Sequence, residues 1–248
     1  MKIWFQGATD RALMSPYIAR VEAHFKAVLE ADSTFSFNTT TPPATTTHAL
    51  TEYRVGRNFI RNAIQAEKEG YDVVAVTHFQ DPGLSEAKSA VGIPVLGLGE
   101  TTLHFACTLG RKLGLVTINP AFIPWHEDQI VKYGLQSRIV GVRAVDANVL
   151  DYIEAFSSKG KYEQLLPRWE KECRTLIEAG ADVIVPAGGI PMMLFTGQID
   201  GAPIVNGMTV IAKAAEMAVR LKQQGIGVSR RSNFARAPEK ALKEFLES

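Results

Sequence analysis

The chain has 248 residues, of which 46% are hydrophobic and 21% charged, with a formal net charge of +1. Such a chain can form one large domain or two small lobes around a core that needs no disulfide or metal. It carries no dense basic stripe for nucleic acid or an anionic membrane, and no apolar run approaches the roughly 20 residues of a spanning helix.

In chain order, Met1 to Gly7 reads as a first strand over Lys2–Gln6 rather than a leader, since it lacks an apolar h-region and a small-residue cleavage site. A helix is expected over Pro16–Ala31 and a strand over Thr34–Asn38. The segment from Thr39 to His48 is Thr-rich and broken by Pro42 and Pro43. It is either an ordinary exposed loop or a lid carrying His48 to a site, because long irregular segments in compact domains are often functional. Next come a helix over Glu52–Glu69 and strands over Asp72–Thr77 and Val95–Leu98. A helix over Glu100–Gly110, a strand over Leu113–Ile118, a helix over Trp125–Tyr133 and a strand over Arg138–Arg143 continue the alternation. The last elements are a helix over Tyr162–Ala179, strands over Asp182–Pro186 and Ile204–Asn206, and a helix over Met208–Gln224. Strands that are apolar almost throughout, each followed by a helix, indicate an α/β fold with parallel sheets covered on both faces.

A repeat divides this series. Gly70-Tyr71-Asp72-Val73-Val74 is echoed by Gly180-Ala181-Asp182-Val183-Ile184, and Gly92-Ile93-Pro94-Val95-Leu96 by Gly201-Ala202-Pro203-Ile204-Val205. One such pair would follow from glycine capping a helix. Two pairs in register predict two Rossmann-like lobes related by a pseudo-twofold, residues 1–98 with 207–248 and residues 99–206. Ligands of open α/β sheets bind beyond the carboxyl ends of the strands. An active-site cleft between the lobes would therefore have Thr77, His78, Phe79, Gln80 and Asp81 on one wall. Ala187, Gly188, Gly189, Ile190 and Pro191 would form the other.

Two cysteines, Cys107 and Cys173, show no CxxC and no ligand-like spacing to histidine. That usage predicts a reducing, cytoplasmic setting without a disulfide framework or metal site. Both are expected inside helices as small core residues. Gly97-Leu98-Gly99 alone is no dinucleotide motif, and no cofactor is expected.

Several segments, taken in order, resemble the aspartate/glutamate/hydantoin racemase superfamily. They are Asp81-Pro82-Gly83-Leu84, the run Pro94 to Glu100, Leu115-Val116-Thr117, Tyr133-Gly134-Leu135, Val142-Arg143-Ala144 and the run Glu178 to Val185. The resemblance runs from about Asp72 to Gly207. It implies a two-lobed, cofactor-independent enzyme in which a thiol on each lobe flanks a carbon next to a carbonyl, one removing a proton and the other returning one. The positions corresponding to those thiols are His78 and Gly188, with Gly189 beside the latter. The same resemblance implies a small-molecule carboxylate or cyclic amide as substrate and a homo-oligomer as the working form.

His78 is then the candidate acid/base, because imidazole exchanges protons near neutral pH. His24, His48, His104 and His126 read by default as packing or surface residues. Gly188 and Gly189 read as a flexible turn or as a backbone cradle for a carboxylate or oxyanion. Glu100 either opens a helix or borders the site. Thr77, Gln80, Thr117 and Asn119 are candidate substrate contacts, while Asp81-Pro82-Gly83 reads as turn chemistry. The expected activity is racemase or isomerase chemistry with one base. Decarboxylase, lyase or hydrolase chemistry, or a silent small-molecule binder, is the alternative.

Overall fold

The structure, a computed structural model, describes residues 1–42 and 48–247. By its contacts the chain falls into two compact units. Unit 1 comprises Met1–Asp10, Val28–Gly97 and the chain from Ile211 onward; unit 2 comprises Arg11–Ala27 and Leu98–Val210. Arg11–Ala27, which the sequence grouping assigned to the first lobe, counts with unit 2.

Unit 1 contains β1 (Lys2–Gln6), β2 (Thr34–Asn38), α2 (Ala49–Lys68), β3 (Val73–Val76), α3 (Leu84–Ala90) and β4 (Val95–Gly97). Helix α1 (Ser15–Val28) precedes β2, and its residues up to Ala27 count with unit 2. The four strands of unit 1 form one parallel sheet in the order β2-β1-β3-β4. Ile3 and Phe5 of β1 and all four residues of β3 are buried, as expected of strands covered on both faces.

Unit 2 contains α4 (Leu98–Ala106), β5 (Leu113–Thr117), α5 (Ile123–Lys132), β6 (Ile139–Ala144) and α6 (Val149–Ala155). It continues with α7 (Lys159–Glu178), β7 (Val183–Pro186), α8 (Gly189–Leu194), β8 (Gly197–Ile199) and β9 (Ala202–Ile204). Its sheet runs β6-β5-β7-β9-β8, parallel except for the β8–β9 pair. Helix α9 (Gly207–Gln223) starts in unit 2 and ends in unit 1, and α10 (Glu239–Glu247) closes the described chain.

The repeat now has a physical meaning. With β5, β6, β7 and β9 matched to β1, β2, β3 and β4, the two sheets have the same strand order. Gly70 and Gly180 have φ of 73° and 98° and each closes a long helix. In both, the next residue's N–H reaches back five positions, Tyr71 to the Ala66 carbonyl and Ala181 to the Leu176 carbonyl, which is a Schellman end. The aspartates of the repeat also do one job twice. Asp72 Oδ2 accepts from the Lys2 N–H at 2.7 Å, and Asp182 Oδ2 accepts from the Lys112 N–H at 2.9 Å. Each carboxylate thus fixes the start of the neighbouring strand.

Each unit has its own core. In unit 1, Phe59, Ala63 and Ile64 of α2 pack on Val74 and Val76 of β3, and Leu242, Phe245 and Leu246 of α10 join the same cluster. In unit 2, Trp169 of α7 stacks on Phe195 with ring centroids 4.5 Å apart. The segment before α10 is tied down more firmly than a solvated basic tail would be. Arg230 donates to the Lys88 and Val91 carbonyls, and Arg236 pairs with Glu67 at 2.8 Å.

Candidate functional site

His78 lies two residues past the end of β3. Thr77 before it is held in place, its N–H and hydroxyl both donating to the Gln6 carbonyl at 2.8 and 3.1 Å. Gln6 is itself buried, and its side-chain oxygen accepts from Trp4 Nε1 and Asn62 Nδ2. The strand end that launches His78 is therefore rigid on its polar side.

The imidazole meets a carboxylate. His78 Nε2 lies 2.9 and 3.1 Å from the two Glu52 oxygens, with the side chains 22% and 19% exposed. Glu52 stands in the first turn of α2, and the backbone explains why it reaches. Gly56 lies one helical turn further along the same face of α2, where glycine costs about 1 kcal/mol of helix propensity relative to alanine. In return, α2 touches the turn that follows His78. A Cβ at Gly56 would lie 3.1 Å from the Gly83 nitrogen, and one at Gly83 would lie 2.7 Å from the Gly56 oxygen. Gly83 has φ of 70° and Asp81, almost wholly buried, has φ of 52°. Two left-handed residues fold the segment from His78 to Leu84 tightly, with the Asp81 N–H donating to the His78 carbonyl at 3.0 Å.

His48 lies elsewhere on α2. It is exposed at the N-cap, with no side-chain capping bond, one turn before Glu52. Pro43 to Thr47 of the proposed lid lie outside the described residues. Gln80 is half-buried in the turn after His78.

The matched strand ends of unit 2 are occupied differently. Thr117 is buried, and its hydroxyl donates to the Ala187 carbonyl at 3.3 Å. Asn119 accepts from the Ala121 N–H at 2.9 Å, capping a short 3₁₀ turn. The Gly188 N–H donates to the Pro186 carbonyl at 3.0 Å, and Gly189 begins α8. Glu100 sits in the first turn of α4, where its carbonyl accepts from His104 Nδ1 at 2.7 Å. Glu100 thus meets the helix-start expectation.

Neither thiol stands at these strand ends. Cys173 is buried in α7, where desolvation pushes its thiol well above the usual range, with Glu170 and Glu172 adding to the effect. Cys107 departs from the sequence expectation: it lies in the turn just after α4 and is half-buried. The helix ends early there, and Arg138 donates to the Cys107 and Gly110 carbonyls at 2.9 and 2.7 Å. Among the described residues, no group of three or more His, Cys, Asp or Glu side chains converges to hold a metal ion, and no helix is long and apolar enough to cross a membrane.

Sequence reading missed Glu52 as the partner of His78. The available signal was Gly56, a glycine inside a helical pattern, which costs helix propensity and marks a packing constraint. His126, read by default as a packing or surface residue, is wholly buried against Thr117.

The family model for Asp/Glu/Hydantoin racemase matches residues 16–215. A hydantoin racemase from Pseudomonas sp. (strain NS671) is 28% identical over 189 residues, covering 72% of this chain and 71% of the relative. Among solved structures, an allantoin racemase from Klebsiella pneumoniae aligns with a TM-score of 0.83 at 20% identity, over 97% of this chain and 95% of that one. An allantoin racemase from Pseudomonas fluorescens aligns at 0.76 and 22%, over 96% and 98%. The two structural likenesses establish the fold. The sequence match extends across most of both units, and the chain belongs to the Asp/Glu/hydantoin racemase family.

Proposed function

We propose that the protein is a cofactor-independent isomerase that racemises a small cyclic amide through a single base, His78. The observation that carries the reading is the His78–Glu52 pair. With Nε2–H donated to the Glu52 carboxylate, Nδ1 keeps its lone pair. That nitrogen removes the proton from a carbon next to a carbonyl, and the C–H electron pair moves into the carbonyl to give an enolate. Glu52 then stabilises the imidazolium, as a carboxylate does behind a catalytic histidine. Gly188 and Gly189 carry no acid or base, so the second face receives its proton from water or from His78 after the substrate turns.

Two features favour an uncharged ring over a carboxylate. The segments that follow β1, β2 and β3, residues 7–10, 39–42 and 77–83, contain no lysine or arginine. Arg54, near Glu52 on α2, donates to the Pro42 carbonyl. An anionic substrate beside Glu52 would meet like charge. The kinship with a hydantoin racemase points the same way. Thr77, Gln80, Glu100, Thr117, Asn119, Gly188, Gly189 and His48 remain the proposed substrate contacts. The internal bonds of Thr77, Thr117 and Asn119 make those three supports for the site more than open donors.

A second reading is decarboxylation of a related small acid, favoured by one observation: of the two positions His78 and Gly188 only His78 can carry a proton, which suits a reaction with one proton transfer. Polarimetry on enantiopure 5-benzylhydantoin, with carbon dioxide release from phenylmalonate as a second arm, separates the two. Loss of rotation that disappears in His78→Asn supports the isomerase. Carbon dioxide release without loss of rotation replaces it with the decarboxylase, and silence in both arms removes the enzymatic reading for these substrates.

A further inference from the structure

Unit 2 holds a buried polar chain that the reaction above does not use. His126 of α5 has no exposed surface, and its ring stacks on Phe122 at 26° with centroids 6.3 Å apart. Its Nε2 lies 3.1 Å from Thr117 Oγ1, and its Nδ1 lies 3.4 Å from Gln129 Oε1. Thr117 Oγ1 in turn lies 3.3 Å from the Ala187 carbonyl oxygen.

The hydrogens follow by elimination. A carbonyl oxygen only accepts, so the single hydroxyl proton of Thr117 goes to Ala187. Thr117 must then accept from His126, which puts a proton on Nε2. The relay reads His126 to Thr117 to Ala187, both bonds running in one direction. A buried polar chain is costly unless all its members are bonded, and an apolar side chain at 126 would fill the space without that demand.

The chain ends at a particular residue. Ala187 immediately precedes Gly188 and Gly189, and its own N–H is held by the Val116 carbonyl at 2.8 Å. With both its polar backbone groups fixed, Ala187 determines where the following turn begins.

We infer that His126 is a positioning residue: with a proton on Nε2 it orients the Thr117 hydroxyl, which fixes Ala187 and so the Gly188–Gly189 turn. From the proposed function this takes only the premise that the strand end of unit 2 serves the reaction.

The test uses the full chain labelled with ¹⁵N. Long-range proton–nitrogen correlation reads the tautomer of His126 directly. Amide exchange at Gly188 and Gly189 is then compared in wild type, Thr117→Val, Thr117→Ser and His126→Leu. Proton on Nε2 is expected, with exchange at both glycines rising roughly fivefold to tenfold in Thr117→Val and His126→Leu, the effect of one lost hydrogen bond. Thr117→Ser should recover most of that loss, and turnover of 5-benzylhydantoin should follow the same order through kcat more than KM. An Nε2 without a proton in the wild type overturns the inference even if no variant folds. Unchanged exchange in Thr117→Val overturns it too, and altered exchange with unaltered turnover reduces the chain to a packing role. Wild-type inactivity would contradict the proposed function instead, while the tautomer and exchange arms would still decide this inference.

Discussion

His78 and Glu52 form the part of the molecule on which the chemistry depends. Asparagine at 78 keeps a polar side chain of similar size but loses the base, so turnover should fall roughly 10²-fold to 10⁴-fold with folding intact. Glutamine at 52 keeps one hydrogen bond and loses the charge. A charge-assisted bond of about 1.5–3 kcal/mol corresponds to a decrease of roughly tenfold to 150-fold in kcat. Steady-state kinetics with circular dichroism on both variants checks each value. A fall in Glu52→Gln equal to that in His78→Asn would mean that the two act as one unit. A second carboxylate contributes to stability instead. Glu216 is buried; burial alone would raise its pKa, but bonds from the Ser33 hydroxyl, the Glu30 N–H and the Lys213 ammonium outweigh it and hold the carboxyl below the usual range. A carboxyl depressed in the folded state contributes stability that is fully present above its unfolded pKa, about 4.3, and is lost as pH falls through the folded value. Glu216→Gln should therefore lower the melting temperature at pH 7, and the gap to wild type should close below about pH 4. A gap independent of pH would contradict the assignment.

At the scale of elements, the helix–turn contact between Gly56 and Gly83 sets the distance from Glu52 to His78. Gly56→Ala gains about 1 kcal/mol of helix propensity while pressing a methyl group on Pro82 and Gly83. Stability should then stay within about 1 kcal/mol of wild type while kcat falls, because the turn carrying His78 moves off α2. Gly70→Ala is the control. No atom lies within 4 Å of its added Cβ, and its φ of 73° costs about 1–2 kcal/mol of stability with turnover unchanged. Equal kcat in Gly56→Ala and wild type would sink the spacing argument. The alternation of β-rich runs and helices was legible in sequence because β3, β5 and β7 are buried along their whole length and almost entirely apolar. The short helices α3, α6 and α8 were not, since elements of six or seven residues carry too few turns for a periodic signal. His78 was legible from its place at a strand end. Glu52 was not, because Gly56 marks only a packing constraint on α2, while the partner 26 residues away in sequence is supplied by the fold.

Across the whole molecule, the duplicated G-x-D-V junctions build two sheets of like order, and the end of the chain is used to complete one of them. Leu242, Phe245 and Leu246 of α10 cover the core of unit 1, and Arg61 donates to the Leu246 carbonyl at 2.7 Å. The sequence grouping placed residues 207–248 with the first lobe but not the bonds that hold them there, because the carbonyls that bind Arg230 belong to α3 and the residue after it, remote in the chain. Phe245→Ala should destabilise unit 1 by up to about 3 kcal/mol, the scale for burying such a side chain. Trp4 reports on unit 1, and Trp125 and Trp169 on unit 2, so single-tryptophan variants can show which unit melts first. An unchanged transition at Trp4 would deny α10 a part in that core. The central claim, that one imidazole backed by one carboxylate does the proton transfer, is tested most directly by deuterium incorporation. The C5 proton of 5-benzylhydantoin is followed by proton NMR in deuterated water, with the uncatalysed rate subtracted. The account predicts enzyme-dependent loss of that signal, abolished in His78→Asn and slowed in Glu52→Gln. Exchange that persists undiminished in His78→Asn would contradict it.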